Sequence, residues 1–271
     1  LLTLSTAGLP LALSKLISEA DATGRRNQMR RCFNTAMALF VAVGAVGTAA
    51  MLFFTEELAA WMNNSMAYWP LKALSVSVIC VSVRCAYRGF AQGRQHMVPT
   101  AVSQFIEAFV KLLIGLPLAW YLIDIGKDLE IGAAGAIVGV SAGTVLAMFY
   151  MIWDYRRHRT PILWGTDKAQ SRGTILKRLL WLGIPITIGQ SGMSLLNLLD
   201  QRIVMGQLQD VLGLAEREAA ALYGQYTFSS TLFNLPASFL PAVAISLIPA
   251  VSVAVTRRDP REVNRVVTTR F

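Results

Sequence analysis

The sequence is poor in charge. Only 15% of its 271 residues are Asp, Glu, Lys or Arg, where soluble domains average about 25%. Together with 54% hydrophobic residues and a mean hydropathy of +0.49, this shortage excludes an ordinary water-soluble globule. Cysteine is scarce too. Cys32, Cys80 and Cys85 form no CxxC pair and no Cys/His metal spacing, so neither a disulfide framework nor a zinc site is expected, and free thiols on the side of a reducing cytoplasm are. The two histidines, His96 and His158, have no ligand partner at helical spacing and read as solvated loop residues. GxSxG, HExxH, P-loop and dinucleotide fingerprints are all absent. No catalytic residue, metal or cofactor is therefore assigned, and the chain reads as a non-enzyme. Acidic residues number 16 against 25 basic ones, for a net charge of +9. The basic residues sit in short loops between apolar runs, and no basic helix with interleaved aromatics stands clear of them. That pattern argues against a nucleic-acid partner and for contact with anionic lipid headgroups.

What the sequence does contain is a series of long apolar runs whose connecting loops alternate in charge. Arg25, Arg26, Arg30 and Arg31 follow the first run; Glu56 and Glu57 follow the second. Arg88 and Arg94 come next, then Asp124, Asp128 and Glu130 around Lys127. A densely basic loop holds Arg156, Arg157, Arg159, Lys168, Arg172, Lys177 and Arg178. After it stand Asp210, Glu216 and Glu218 around Arg217, and finally Arg257, Arg258, Arg261 and Arg265. Cytoplasmic loops retain Lys and Arg while translocated ones do not, so the alternation predicts a multi-pass protein of the cytoplasmic membrane and assigns a side to every loop. With about 20 apolar residues needed per span, the spans fall at residues 1–18, 35–54, 69–91, 99–123, 131–153, 179–206 and 221–256. The chain opens on Leu1 inside an apolar stretch and closes after a basic loop, and is expected to be an interior piece of a larger membrane protein.

The last span would be about 50 Å long as one helix and holds Pro236, Pro241 and Pro249, so a kink or break is expected there. Pro185 with Gly183, Gly189 and Gly192 weakens the preceding span. Interrupted helices are tolerated where protein buries them or where they line a wet cavity. Gly135, Gly139 and Gly143, four apart, form a small-residue seam for close helix approach.

Ionisable groups inside spans are costly and are the main functional leads. Arg84 and Arg88 share a face in the cytoplasmic half of one span, and Glu107 and Lys111 share a face in the cytoplasmic half of the next. Two readings of this group stand. Glu107 pairs with Lys111 or Arg84 in one buried bridge, or Arg84, Arg88 and Lys111 form a cationic cavity for a phosphate or diphosphate headgroup, with Glu107 balancing charge. Asp200, with Asn197 about a turn earlier, either pairs with Arg202 or an unseen helix, or supplies hard oxygen donors to a coupling cation.

Several stretches resemble the polysaccharide-biosynthesis flippases related to stage V sporulation protein B. They are Leu4-Ser5-Thr6-Ala7-Gly8-Leu9-Pro10 running on to Lys15, and Tyr87-Arg88-Gly89-Phe90-Ala91-Gln92-Gly93 with Pro99-Thr100-Ala101-Val102-Ser103-Gln104 and Glu107. Gly183-Ile184-Pro185 through Asp200, and Leu235-Pro236 through Ser252, are similar to two later helices of that family. The family belongs to the superfamily that also holds the MurJ lipid II flippases and the multidrug and toxin extruders. The resemblance implies an all-α bundle of two pseudo-symmetric lobes that moves lipid-linked sugars by alternating access. Residues 1–155 would then be N-lobe helices lacking the first, 156–178 a basic inter-lobe loop, and 179–271 the start of the C-lobe. The position of Asp200 matches a carboxylate that helps bind sodium in some MurJ-like members. Those members carry an Arg shortly before the Leu-Pro of the eighth helix, whereas Tyr223-Gly224-Gln225-Tyr226-Thr227-Phe228 stands here, which moves the chain towards the sporulation-protein branch.

The resulting expectation is a flippase for undecaprenyl-diphosphate-linked peptidoglycan or polysaccharide precursors. Its partners would be that lipid-linked sugar and the bilayer, with the oligomeric state left open. Arg84, Arg88 and Lys111 would attract the diphosphate, and a Na+ or H+ gradient or the membrane potential would supply the drive. The rival readings are a cation-coupled multidrug antiporter, which calls for a carboxylate-dominated cavity, and a membrane-embedded glycosyltransferase or polymerase, which calls for acidic residues on a translocated loop.

Overall fold

The computed structural model describes residues 8–126, 128–158 and 167–235. The regular elements in the first compact unit, residues 1–206, are α1 (Gly8–Ala22), α2 (Arg26–Phe53), the short α3 (Thr55–Trp61), α4 (Tyr68–Gly93), α5 (Val98–Val110), α6 (Leu116–Asp124), α7 (Leu129–His158) and α8 (Arg172–Gly206). A one-turn 3₁₀ helix, Ser65–Ala67, leads into α4, and a π-type turn, Lys111–Gly115, joins α5 to α6 without a break. In the second unit, residues 207–271, a π-type turn Gln207–Val211 precedes a helix over 216–235. The described residues contain no strand. The fold is an all-α membrane bundle. Pro236, Pro241 and Pro249, and with them the expected break in the last span, lie outside the described residues.

Five stretches are long and apolar enough to cross a membrane: Arg26–Phe53, Ser65–Gly93, Val98–Asp124, Glu130–His158 and Arg172–Val211. They match five of the spans read from hydropathy, but the helices run past the apolar runs. Arg26, Arg30 and Arg31, expected in a loop, occupy the first turns of α2. The 35 residues of α8 extend to about 52 Å at 1.5 Å per residue, well beyond a hydrocarbon core of about 30 Å. Pro185 sits inside α8 without ending it.

α4 is the hub. It packs against α1, α2, α5 and α7, while α8 lies against α1 and α2. The expected start of the C-lobe therefore packs within the same compact unit as the helices before it. The 98–124 helix is peripheral, with only 6% of its most apolar window buried, and Phe105, Phe109, Leu112, Leu113, Leu116 and Trp120 are exposed on it. Such a surface is stable against lipid or another apolar protein face and not against water. The buried core lies between α1, α2, α4 and the start of α8, around Leu13, Ile17, Met29, Phe40, Ile175 and Leu179.

Close helix approach rests on glycine. A Cβ on Gly139 would lie 2.3 Å from the backbone of Gly115, and one on Gly143 would lie 2.7 Å from the carbonyl of Glu107. The expected seam thus packs α7 directly onto the α5–α6 helix. Gly89 and Gly93 do the same between α4 and α1, facing the carbonyls of Pro10 and Ser14.

Tyr150, Trp153 and Tyr155 read from sequence as one inner aromatic belt. Trp153 is exposed and stacks with the Arg157 guanidinium at 5.3 Å. Tyr155 instead turns inward, 4.6 Å from Phe33 and about 5 Å from Tyr87 and Phe90, so that three helices share one aromatic cluster.

The start of α2 is completed from a distant part of the chain. Arg25, Arg26, Arg30 and Arg31 crowd the positive end of its dipole, which is unfavourable, and Arg25 makes no side-chain cap. The Asp167 carboxylate accepts hydrogen bonds from the Asn27 N–H at 2.8 Å and the Gln28 N–H at 3.0 Å. Gln28 and Gln170 exchange further bonds, the Gln170 N–H donating to Gln28 Oε1 at 2.7 Å. Partial burial pushes the Asp167 carboxyl up, but the Asn27 and Gln28 N–H groups and the charge of Arg25 outweigh it and hold it below the ordinary carboxylate range. A carboxyl depressed on folding contributes stability above its unfolded value, and that contribution disappears as pH falls through the folded value. Asp167→Ala is therefore expected to lower stability by about 1–2 kcal/mol at neutral pH, with the difference from wild type closing below about pH 4. Thermal melts of the two proteins across pH check this.

Candidate functional site

α4 and α5 form an antiparallel pair across the turn at residues 94–97. Arg84 and Glu107 each lie about nine residues from the helix end at that turn, some 14 Å in at 1.5 Å per residue, and so face each other at the same depth. Arg84 is 4% exposed, and its Nη1 donates to Glu107 Oε2. Glu107 Oε1 accepts a bond from the Thr144 hydroxyl of α7 at 3.2 Å. The seam makes this reach possible: Gly143 lets the Glu107 backbone come against α7, which brings Thr144 to the carboxylate. Two turns towards the outer side, the Ser77 and Ser141 hydroxyls lie 2.7 Å apart, and Ser141 donates to the Ala73 carbonyl at 3.0 Å. A polar line thus runs between α4 and α7, with one ion pair in it.

The bridge leaves one group over. The Arg84 Nε is buried and has no hydrogen-bond partner among the described residues. An orphaned donor of this kind costs about 1–3 kcal/mol, a cost that a ligand or a rearranged state would remove.

Of the two pairings open for Glu107, the structure forms the one with Arg84. The reason is desolvation: the buried guanidinium needs a counter-charge, whereas Lys111 stands at an exposed position at the start of the π-type turn. Arg88 is half-buried, one turn beyond Arg84. The structure therefore brings Arg84 and Glu107 together, places Arg88 beside them, and sets Lys111 on the outer face of its helix. Asn197 and Asp200 are both exposed on α8. Among the described residues no ion pair joins Asp200 to Arg202. Instead, the Arg202 guanidinium lies 4.7 Å from the ring of Trp61 on α3, a cation–π contact at the side that Glu56 and Glu57 mark as outer.

Thr144 and Asp167 were not legible as site residues. Asp167 did leave a trace, as the one acid among the many bases of residues 156–178. Thr144 left only its place next to a seam glycine.

The model of the polysaccharide biosynthesis protein family matches residues 1–255. The chain belongs to that family. It is 28% identical over 254 residues to stage V sporulation protein B of Bacillus subtilis (strain 168), covering 92% of this chain and 48% of the relative. It is 26% identical over 170 residues to lipid II flippase MurJ of the same organism, covering 58% of this chain and 31% of the relative. The chain spans about half the length, or less, of these curated relatives. Its fold is similar to that of a multidrug resistance MATE family transporter of the MOP superfamily in an inward-facing conformation. The TM-score is 0.70 at 15% identity, over 98% of this chain and 57% of that one. This family member is therefore a multi-pass membrane protein with a MATE-like fold.

Proposed function

We propose that the protein is a flippase that carries undecaprenyl-diphosphate-linked peptidoglycan or polysaccharide precursors across the membrane by alternating access. The observation that carries this reading is a pair of arginines one turn apart inside a membrane helix of a polysaccharide-biosynthesis family member, one of them with an unpartnered donor. Guanidinium groups match phosphate oxygens in a planar fork, and a family dedicated to sugar polymers gives them a diphosphate-linked sugar to hold. A relative described as a lipid II flippase supports the same class of cargo. In this mechanism Arg84 and Arg88 attract the diphosphate from the inner leaflet, Lys111 adds charge along the same helix pair, and Glu107 holds Arg84 in place and limits the net charge. Asp200, with Asn197, is the proposed ligand of a coupling Na+ or H+. The likeness to a multidrug transporter is one of fold alone and adds no cargo.

The test uses the full-length protein in vesicles holding a fluorescent undecaprenyl-diphosphate-linked sugar. Arg88→Gln is expected to reduce translocation at least tenfold with expression unchanged. Replacing the Arg84–Glu107 pair together by Met and Leu is expected to leave a folded protein with the same loss. Full translocation by both variants would overturn the assignment.

A further inference from the structure

A second cationic feature lies away from the Arg84 bridge, where α1 and α8 run side by side. A cleft of about 380 Å³ opens there, lined by Lys15, Lys177, Arg178, Trp181 and Leu182. Its size falls within the roughly 300–1,000 Å³ of small-ligand sites. Next to it, a smaller hollow of about 180 Å³ is bordered by Glu19, Arg25, Gln28 and the same Arg178. Among the described residues the only acid lining either is Glu19, and Arg178 takes it up in a 3.0 Å bridge. Among the described residues the ammonium groups of Lys15 and Lys177 are thus left without a counter-charge in the cleft. Both lysines are exposed, and the Trp181 ring is 75% exposed beside them.

The depth of the cleft is set by the helices that build it. Lys15 lies seven residues before the end of α1 at Ala22, and Lys177 and Trp181 lie five and nine residues after the start of α8 at Arg172. At 1.5 Å per residue these offsets are about 8–14 Å, measured from helix ends that carry the basic loops and so belong on the cytoplasmic side. That is the inner-leaflet headgroup boundary, where an indole ring is at home and a lysine reaches polar surroundings. Two uncompensated ammonium groups over a cavity with one aromatic wall and one aliphatic wall fit a ligand with an anionic head and an apolar tail.

We infer that this cleft between α1 and α8 is a binding site for the phosphate group of an inner-leaflet lipid, held by Lys15 and Lys177 with its chain along Trp181 and Leu182. Arg178 is fixed by Glu19 and shapes the wall. The inference rests on the geometry of the cleft and on membrane sidedness, not on the cargo proposed above. It holds or fails independently of any transport activity.

Trp181 itself supplies the readout. Full-length protein is placed in vesicles of phosphatidylcholine, in vesicles containing acyl-brominated phosphatidylglycerol, and in vesicles containing brominated phosphatidylcholine instead. The quenching specific to Trp181 is taken as the difference between wild type and Trp181→Phe. Anionic lipid is expected to quench at a lower mole fraction than neutral lipid. Each lysine contributes about fivefold in apparent affinity, from roughly 1 kcal/mol per basic residue at an anionic surface. The double variant K15Q/K177Q is expected to lose that preference, and K15R/K177R, which keeps both charges, to retain it. Equal quenching by both lipids, or a preference that survives in K15Q/K177Q, would overturn the site. A final arm adds inorganic diphosphate to protein in plain phosphatidylcholine. A Trp181 response there without any preference for anionic lipid would assign the cleft to a free phosphate and defeat the lipid inference.

Discussion

Glu107→Ala is expected to destabilise the protein by about 3–5 kcal/mol, the typical cost of leaving a buried charge without its partner. Arg84 is nearly inaccessible, its Nη1 is bound to Glu107, and its Nε already lacks a partner among the described residues. Removing the carboxylate strands the whole guanidinium between α4 and α7 and frees the Thr144 hydroxyl as well. Replacing the pair by Met and Leu removes both charges at similar volume, an exchange that is often neutral or stabilising. The expected pattern is thus a large loss for the single variant and near recovery for the double one, read as thermal unfolding midpoints of the purified protein in one detergent. Equal losses in both would show that the bridge contributes packing and not charge balance. The double variant also separates roles: it keeps the fold while removing the proposed diphosphate ligand, so stability and translocation should part company in it but not in Glu107→Ala.

Gly139→Leu should be comparably damaging for a different reason. A Cβ at this position already lies 2.3 Å from the Cα and N of Gly115, and these are backbone atoms that no rotamer change can move aside. The α7 helix has to separate from the α5–α6 helix. Overpacking typically costs about 1–3 kcal/mol and sometimes more, and here the separation also pulls the Glu107 backbone off Gly143 and stretches the Thr144 contact. Gly173→Ala near the start of α8, where nothing lies within 4 Å of a new Cβ, is the matching control. It should be neutral or stabilising by up to about 1 kcal/mol. Comparing unfolding midpoints of the two variants checks the claim, and a Gly139→Leu protein that melts like wild type would show that the seam does not hold these helices together.

The helix count over the described residues, the small-residue seam and the Arg84–Glu107 option were all readable in advance. Each depends on a local pattern. Twenty apolar residues report a span, glycines four apart report one face of a helix, and a carboxylate inside a span has to find a cation. The helix ends were less readable, because hydropathy stops at the edge of the hydrocarbon while a helix does not. Arg26, Arg30 and Arg31 extend α2 beyond the apolar run at little cost once Asp167 caps its first turn.

The proposed grouping of Arg84, Arg88 and Lys111 was legible only as a list of charges. Spacing along one helix puts Glu107 and Lys111 on one face, but it says nothing about the helix alongside. Tertiary packing placed Arg84 opposite Glu107 at equal depth, left Lys111 on the exposed face, and brought Tyr155 from an expected headgroup belt into a cluster with Phe33, Tyr87 and Phe90.

By itself the sequence determined that this chain crosses a membrane many times, which side each loop is expected to face, and which side chains stand inside the spans at a cost. Those properties follow from transfer free energies and loop charge, which act residue by residue. The tertiary structure alone decided how the costs are met: which carboxylate answers the buried arginine, which distant aspartate caps a helix crowded with positive charge, and where two lysines remain unanswered. Pairing is a matter of which helix faces come into contact, and that is fixed by packing between residues 23 positions apart for Arg84 and Glu107 and 140 apart for Asn27 and Asp167.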